Sequence, residues 1–130
     1  MLKRFTKNKK GQSVVEFALV LPVLLLVLFG ITEFGRAIMT KNVLHTASRE
    51  GARLAAVSAV DDSSSVKSRV QEILNAANIT PKTIDIQFDT VNKSVTVEVT
   101  TDFEVLSGTI ISSFVGIVEL KGFTVMKYEG

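Results

Sequence analysis

The sequence contains no cysteine, no tryptophan and a single histidine, His45. Without cysteine there is no disulfide, no thiolate nucleophile and no cysteine-based metal site. One histidine speaks against histidine-rich metal centres and most His-dependent catalytic triads. Acids are missing from the first ten residues, where Lys3, Arg4, Lys7, Lys9 and Lys10 give five positive charges. The whole chain carries 15 basic and 13 acidic residues, a formal charge of +2, so the stretch after residue 10 is net negative. The basic balance belongs to one short arm and is no sign of a nucleic-acid-binding face. Nor do aromatic residues interleave with basic ones, as a single-strand binder requires. With 130 residues there is room for one domain at most.

What the chain does have is a long apolar run. Residues 14–31 read VVEFALVLPVLLLVLFGI, and 14 of these 18 are Leu, Ile, Val or Phe. An 18-residue helix covers ~27 Å, and extension to Phe34 gives ~31 Å, about one hydrocarbon thickness. The one charge inside is Glu16. A central acid costs roughly 3 kcal/mol, whereas each central Leu, Ile, Val or Phe favours insertion by roughly 0.3–0.6 kcal/mol. Glu16 also lies near one end, so the run predicts a transmembrane helix in contact with the lipid bilayer. A buried core helix is the alternative, but it needs a polar stripe that residues 17–31 lack. Pro22 removes the helical partner of the Ala18 carbonyl and predicts a kink, or a place where the helix bends on packing.

Five positive residues precede the span, and only Arg36, Lys41 and Arg49 fall in the twenty residues after it. This bias predicts a cytoplasmic amino terminus and an extracytoplasmic carboxy-terminal part. A cleaved secretory signal competes with this reading. It needs small residues around a cut just after the run, and residues 30–36, GITEFGR, offer a poor site.

The junction before the span is the most specific feature. Lys9-Lys10-Gly11-Gln12-Ser13-Val14-Val15-Glu16-Phe17 resembles the class III signal of type IV-like prepilins: a short basic leader ending in Gly, Glu five residues later, an aromatic residue, then a long apolar helix. More closely, residues 11–55, with the Pro-containing span and the Glu33-Phe34-Gly35-Arg36 exit, resemble the TadE-like family, pseudopilins of the tight-adherence (Flp) pilus system. The resemblance implies cleavage by a membrane-embedded prepilin peptidase between Gly11 and Gln12. A mature chain starting at Gln12 is much longer than the major Flp pilins, which favours a minor pilin or pseudopilin. The implied location is the bacterial cytoplasmic (inner) membrane, crossed once, with possible incorporation into a surface pilus. The implied partners are the peptidase, other pilin or pseudopilin subunits and the pilus assembly platform. Phe17 replaces the Tyr common after the Glu in major pilins.

Chemistry supplies roles for these residues independently. Gly11 lacks a Cβ and tolerates close approach of its backbone to an enzyme cleft. Glu16, an acid at partial membrane depth, is a functional candidate by default. It is suited to pairing with the new α-amine of a neighbouring subunit, with Phe17 beside it, and so to setting register; the alternative is that it reaches the headgroups and pairs with nothing. Glu33 and Arg36, three apart on a helix, form either an exposed ion pair or a subunit contact.

Beyond the span, residues 35–60 continue the helical pattern. Leu44, Ala47, Gly51, Leu54, Ala55 and Ser58 recur on one face, and Lys41, His45, Arg49 and Arg53 form an opposing basic stripe. The small residues Ala47, Gly51 and Ala55 admit a close neighbour, either another helix or the chain's own sheet. Asp61 and Asp62 precede three serines and supply N-cap residues for a second helix over 66–77. They lack the spaced ligand series of a Ca²⁺ loop, so no metal is expected. Ile84, Ile86 and Phe88 alternate as one strand. Val95, Val97 and Val99, followed by Phe103 and Val105, alternate as a second, giving a hairpin around residues 89–93. Residues 106–118 fit a helix weakened by Gly108 and Gly116. Residues 119–128 predict a third strand carrying Phe123 and Val125. Glu98, Asp102 and Glu104 read as a solvated strand face.

No phosphate loop, activated nucleophile or metal spacing is present, so the sequence predicts neither an enzyme nor a cofactor. The expected fold is α+β and type IV pilin-like. A long amino-terminal transmembrane helix (12–34) follows a leader (1–11) and continues as an extension (35–60). A small outer domain (61–130) then holds a second helix and a roughly three-stranded antiparallel sheet. The competing function is an unprocessed single-span membrane protein with a small extracytoplasmic interaction domain.

Overall fold

The computed structural model describes residues 9–58, 62–105 and 117–128. Two helices, α1 (Lys9–Val57) and α2 (Ser63–Ala76), precede three strands, β1 (Thr83–Asp89), β2 (Ser94–Phe103) and β3 (Val118–Lys127). The strands form one antiparallel sheet in the order β1-β2-β3. This is the α+β arrangement expected from the sequence. The chain divides into two compact units, Met1–Phe34 and Gly35–Gly130, and α1 contributes residues to both.

In the first unit, every large apolar side chain from Val14 to Ile31 is exposed. A core helix would hide these groups, so the exposed run is the membrane anchor that its length and composition describe. The helix runs through Pro22. Hydroxyls near its ends are satisfied by the helix itself. Ser13 Oγ donates to the Lys9 carbonyl at 3.1 Å, and Thr32 Oγ1 donates to the Phe29 carbonyl at 2.9 Å. That internal bonding removes the cost of placing an unpaired hydroxyl in lipid.

The second unit is built around the sheet's inner face. Val95, Val97 and Val99 of β2 are fully buried, as a central strand with alternating valines dictates. From α1, Leu44, Ala47, Ser48, Gly51, Ala52 and Ala55 are buried, and from α2, Val66, Val70 and Leu74. The α2 set recurs every four residues, a single stripe turned to the core.

Local signals set the element ends. Asp62 caps α2, accepting from the Ser65 amide at 3.3 Å and from Ser65 Oγ at 2.8 Å. Those bonds, the Ser65 hydroxyl first, hold the Asp62 carboxyl below its ordinary range. At the other end, the Leu74 carbonyl accepts from Ala77 and Ile79 amides, and Asn78 adopts a left-handed φ of 56°. The β1–β2 turn is closed by Asp89, whose carboxylate accepts from the Asn92 side chain at 2.7 Å and the Val91 amide at 2.9 Å. These bonds, led by the Asn92 side chain, likewise depress its pKa.

One expectation needs correction. The second strand ends at Phe103, so Val105 lies beyond it. Phe123 and Val125 are on the third strand, as expected, and point away from the core, 61% and 54% exposed. The inward set of β3 is Leu120, Gly122, Thr124 and Met126. Glu98 and Asp102 lie on the solvated face, as expected, and meet lysines there: Lys121 meets Glu98 at 3.2 Å, and Lys82 bridges Asp102 at 3.4 Å and Glu119 at 3.0 Å. These contacts, Glu119 first, raise the Lys82 pKa. Most of residues 106–118, read from sequence as a weakened helix, lies outside the described residues.

Candidate functional site at the amino-terminal junction

Gly11 is the third residue of α1, and nothing lies within 4 Å of where its Cβ would be. The first turn of a helix has amide groups without intrahelical partners, and it opens at low cost. The bond between Gly11 and Gln12 is thus sterically open on the Gly11 side and lies in the first turn of the described helix. One turn on, Gln12 Nε2 donates to Glu16 Oε1 at 3.4 Å. Glu16 and Phe17 are both exposed on this segment. A carboxylate facing outward at the start of an apolar helix is available to a group on another molecule, and within the helix only a weak amide bond engages it.

Glu33 and Arg36 both lie on α1. The Arg36 guanidinium sits 5.1 Å from the Phe103 ring centroid, a cation–π contact that ties α1 to the end of β2. No sequence signal linked these two positions, which are far apart in the chain.

The small residues Ala47, Gly51 and Ala55 face the interior of the second unit. A Cβ on Gly51 would stand 2.6 Å from Val70 Cγ2 and 3.3 Å from Val97 Cγ1, so the close approach is to α2 and the sheet of the same chain. Lys41, His45, Arg49 and Arg53 are exposed, as the basic stripe requires.

Two further close contacts fix α1 on the sheet. Gly122 of β3 touches the α1 backbone: an added Cβ would lie 2.6 Å from the Leu44 carbonyl carbon and 2.8 Å from the His45 amide nitrogen. Two residues on, Thr124 Oγ1 and the fully buried Ser48 Oγ are 2.9 Å apart, and Ser48 donates 2.8 Å to the His45 carbonyl. A buried hydroxyl pair satisfied in this way fixes helix register against the strand. Among the described residues there is no group of three or more His, Cys, Asp or Glu placed to hold a metal ion.

Comparison with known proteins finds one relationship. The family model described as TadE-like protein matches residues 11–53. No curated protein and no solved structure matches the chain.

Proposed function

We propose, for this membrane-anchored chain whose amino-terminal third is TadE-like, that it is a non-enzymatic minor pilin or pseudopilin of a tight-adherence (Flp-type) pilus or a related secretion apparatus. A prepilin peptidase cuts between Gly11 and Gln12. The mature subunit stays in the bacterial cytoplasmic membrane or passes into the fibre, and its partners are other pilin subunits and the assembly platform. One observation carries the reading: the family match begins at Gly11, the residue that joins the basic arm to a wholly exposed apolar helix. The bias of Lys and Arg toward the amino-terminal side supports a cytoplasmic leader and an extracytoplasmic second unit.

In this reading Glu16 sets axial register. Cleavage frees an α-amine at Gln12, and the Glu16 carboxylate of a neighbour neutralises it in a medium where an unpaired charge is costly. The test is Glu16→Ala in the native host. The variant is expected to reach the membrane in normal amount and to lose co-purification with the other pilin subunits. Normal assembly of Glu16→Ala refutes the pairing role. A chain that remains whole and anchored, with no dependence on pilus genes, supports instead a single-span interaction protein.

A further inference from the structure

The sheet has two edges, β1 and β3, and among the described residues neither has a strand beside it. Open edges present unpaired amides and carbonyls to any strand of suitable register. The pairing fixes which residues lie level across the sheet. Thr83 is level with Thr100 and Lys121, Asp85 with Glu98 and Phe123, Gln87 with Thr96 and Val125, and Asp89 with Ser94 and Lys127. All of these outer-strand residues lie on the outward face, and their side chains are exposed.

The two edges differ in charge. β1 carries Asp85 and Asp89 and no base. β3 carries Lys127 and Lys121, the latter engaged by Glu98 of β2, and its one acid, Glu119, is engaged by Lys82. Lys127 has no ion-pair partner among the described residues. Lys41 and His45 flank a cavity of about 580 Å³ beside Lys121, Gly122 and Phe123, so the β3 side is also basic on its helix flank and has open space next to it. A single chain thus has an acidic edge and a basic edge that cannot meet each other.

We infer that a second copy of this chain docks its β1 against β3 of the first, so that one sheet continues from subunit to subunit. β1 and β3 are each antiparallel to β2 and hence parallel to each other. Simple lateral repetition therefore makes a parallel joint. It sets Asp89 of one copy beside Lys127 of the other, Gln87 beside Val125 and Asp85 beside Phe123. The joint uses different surfaces on the two partners, so it does not close at a dimer. Three strands at ~20–25° of twist each rotate successive copies by roughly 60–75°, and the assembly coils. The inference rests on the subunit-assembly reading, since it names the surface through which copies meet.

The chain has no native cysteine, which makes the test clean. Gln87→Cys and Val125→Cys are combined in the full-length protein, expressed in its host membrane and oxidised. Within one chain these positions are two strand spacings apart, ~9.6 Å. That exceeds the ~7 Å reach of a disulfide. Across the proposed joint they are neighbours. The expected result is a ladder of dimers, trimers and higher species on a non-reducing gel, absent from either single variant and reduced several-fold by Lys127→Glu. A dimer from either single variant shows a symmetric joint and overturns the inference. Absence of a ladder overturns it whether or not Gly11–Gln12 is cut, and a single cross-linked band to a different protein does the same. A ladder from chains that are never cut leaves this joint standing and overturns the processing reading alone.

Discussion

Gly122→Ala is expected to remove about 3 kcal/mol or more of the second unit's stability, at the upper end of overpacking effects. The new methyl would stand 2.6–2.8 Å from the Leu44 carbonyl and the His45 amide. Those atoms are helix backbone, and no side-chain rotation relieves the clash. Either α1 lifts from β3, exposing Leu44 and pulling Ser48 from Thr124, or the strand buckles. At ~4–8 °C per kcal/mol for a unit of this size, the melting midpoint falls by roughly 12–24 °C. Tyr128 is the only tyrosine, there is no tryptophan, and its ring stands edge-on to Phe88 with centroids 6.2 Å apart. Its fluorescence in the detergent-solubilised full chain therefore follows this unit and not the anchor. Gly51→Ala is the comparison. Its methyl meets the Val70 and Val97 side chains, which have some room to shift, so its loss is smaller, about 1–2 kcal/mol. A Gly122→Ala midpoint equal to the parent's contradicts the close helix–strand contact.

Leu74→Ala is expected to cost about 2–5 kcal/mol, the range for a buried leucine that leaves a cavity. Leu74 is fully buried with Val66 and Val70 as the inward stripe of α2, and its carbonyl accepts the two amides that end the helix. The substitution keeps those backbone bonds and removes only packing. The neighbouring Ile73, half-buried at the core margin, is the control, and Ile73→Ala costs clearly less. Urea unfolding followed by Tyr128 fluorescence reads both. Equal midpoints for the two variants contradict the packing described for α2.

These contacts explain which parts of the fold were legible in the sequence. Val95, Val97 and Val99 alternate without competition, and Asp62 stands directly before a serine run, so the central strand and the second helix's start follow from local pattern. The existence of β3 was legible, but its inward face was not read, because both of its faces carry apolar residues. Phe123 and Val125 are bulkier than Gly122 and Thr124, yet the core took the face with Gly122 and Thr124. There the lack of a side chain and a hydroxyl for Ser48 matter more than apolar area. The charges of Glu119, Lys121 and Lys127, all sharing parity with Phe123, were the available signal for the outward face. Ser48 and Ala52 were missed on α1 because the sheet and α2 together cover a wider arc of helix than one partner does. The contact between Arg36 and Phe103 depends on tertiary approach and leaves no mark in local sequence. The family likeness that starts at Gly11, in contrast, was legible from the basic leader, the Gly11–Glu16 spacing, the Pro-containing span and the Glu33-Phe34-Gly35-Arg36 exit taken together. The residues from Gly11 to Arg36 are close together in the chain on a single helix, so no tertiary contact is needed to see them.

The most direct test of the account is the mass of the protein's amino-terminal peptide, taken from membranes of cells with and without a prepilin peptidase. The account predicts a terminus at Gln12 when the peptidase is present, and the uncut leader with Lys9, Lys10 and Gly11 when it is absent. A native-host protein that still begins at Met1 or Leu2 contradicts it, and leaves a single-span anchor carrying a small α+β domain.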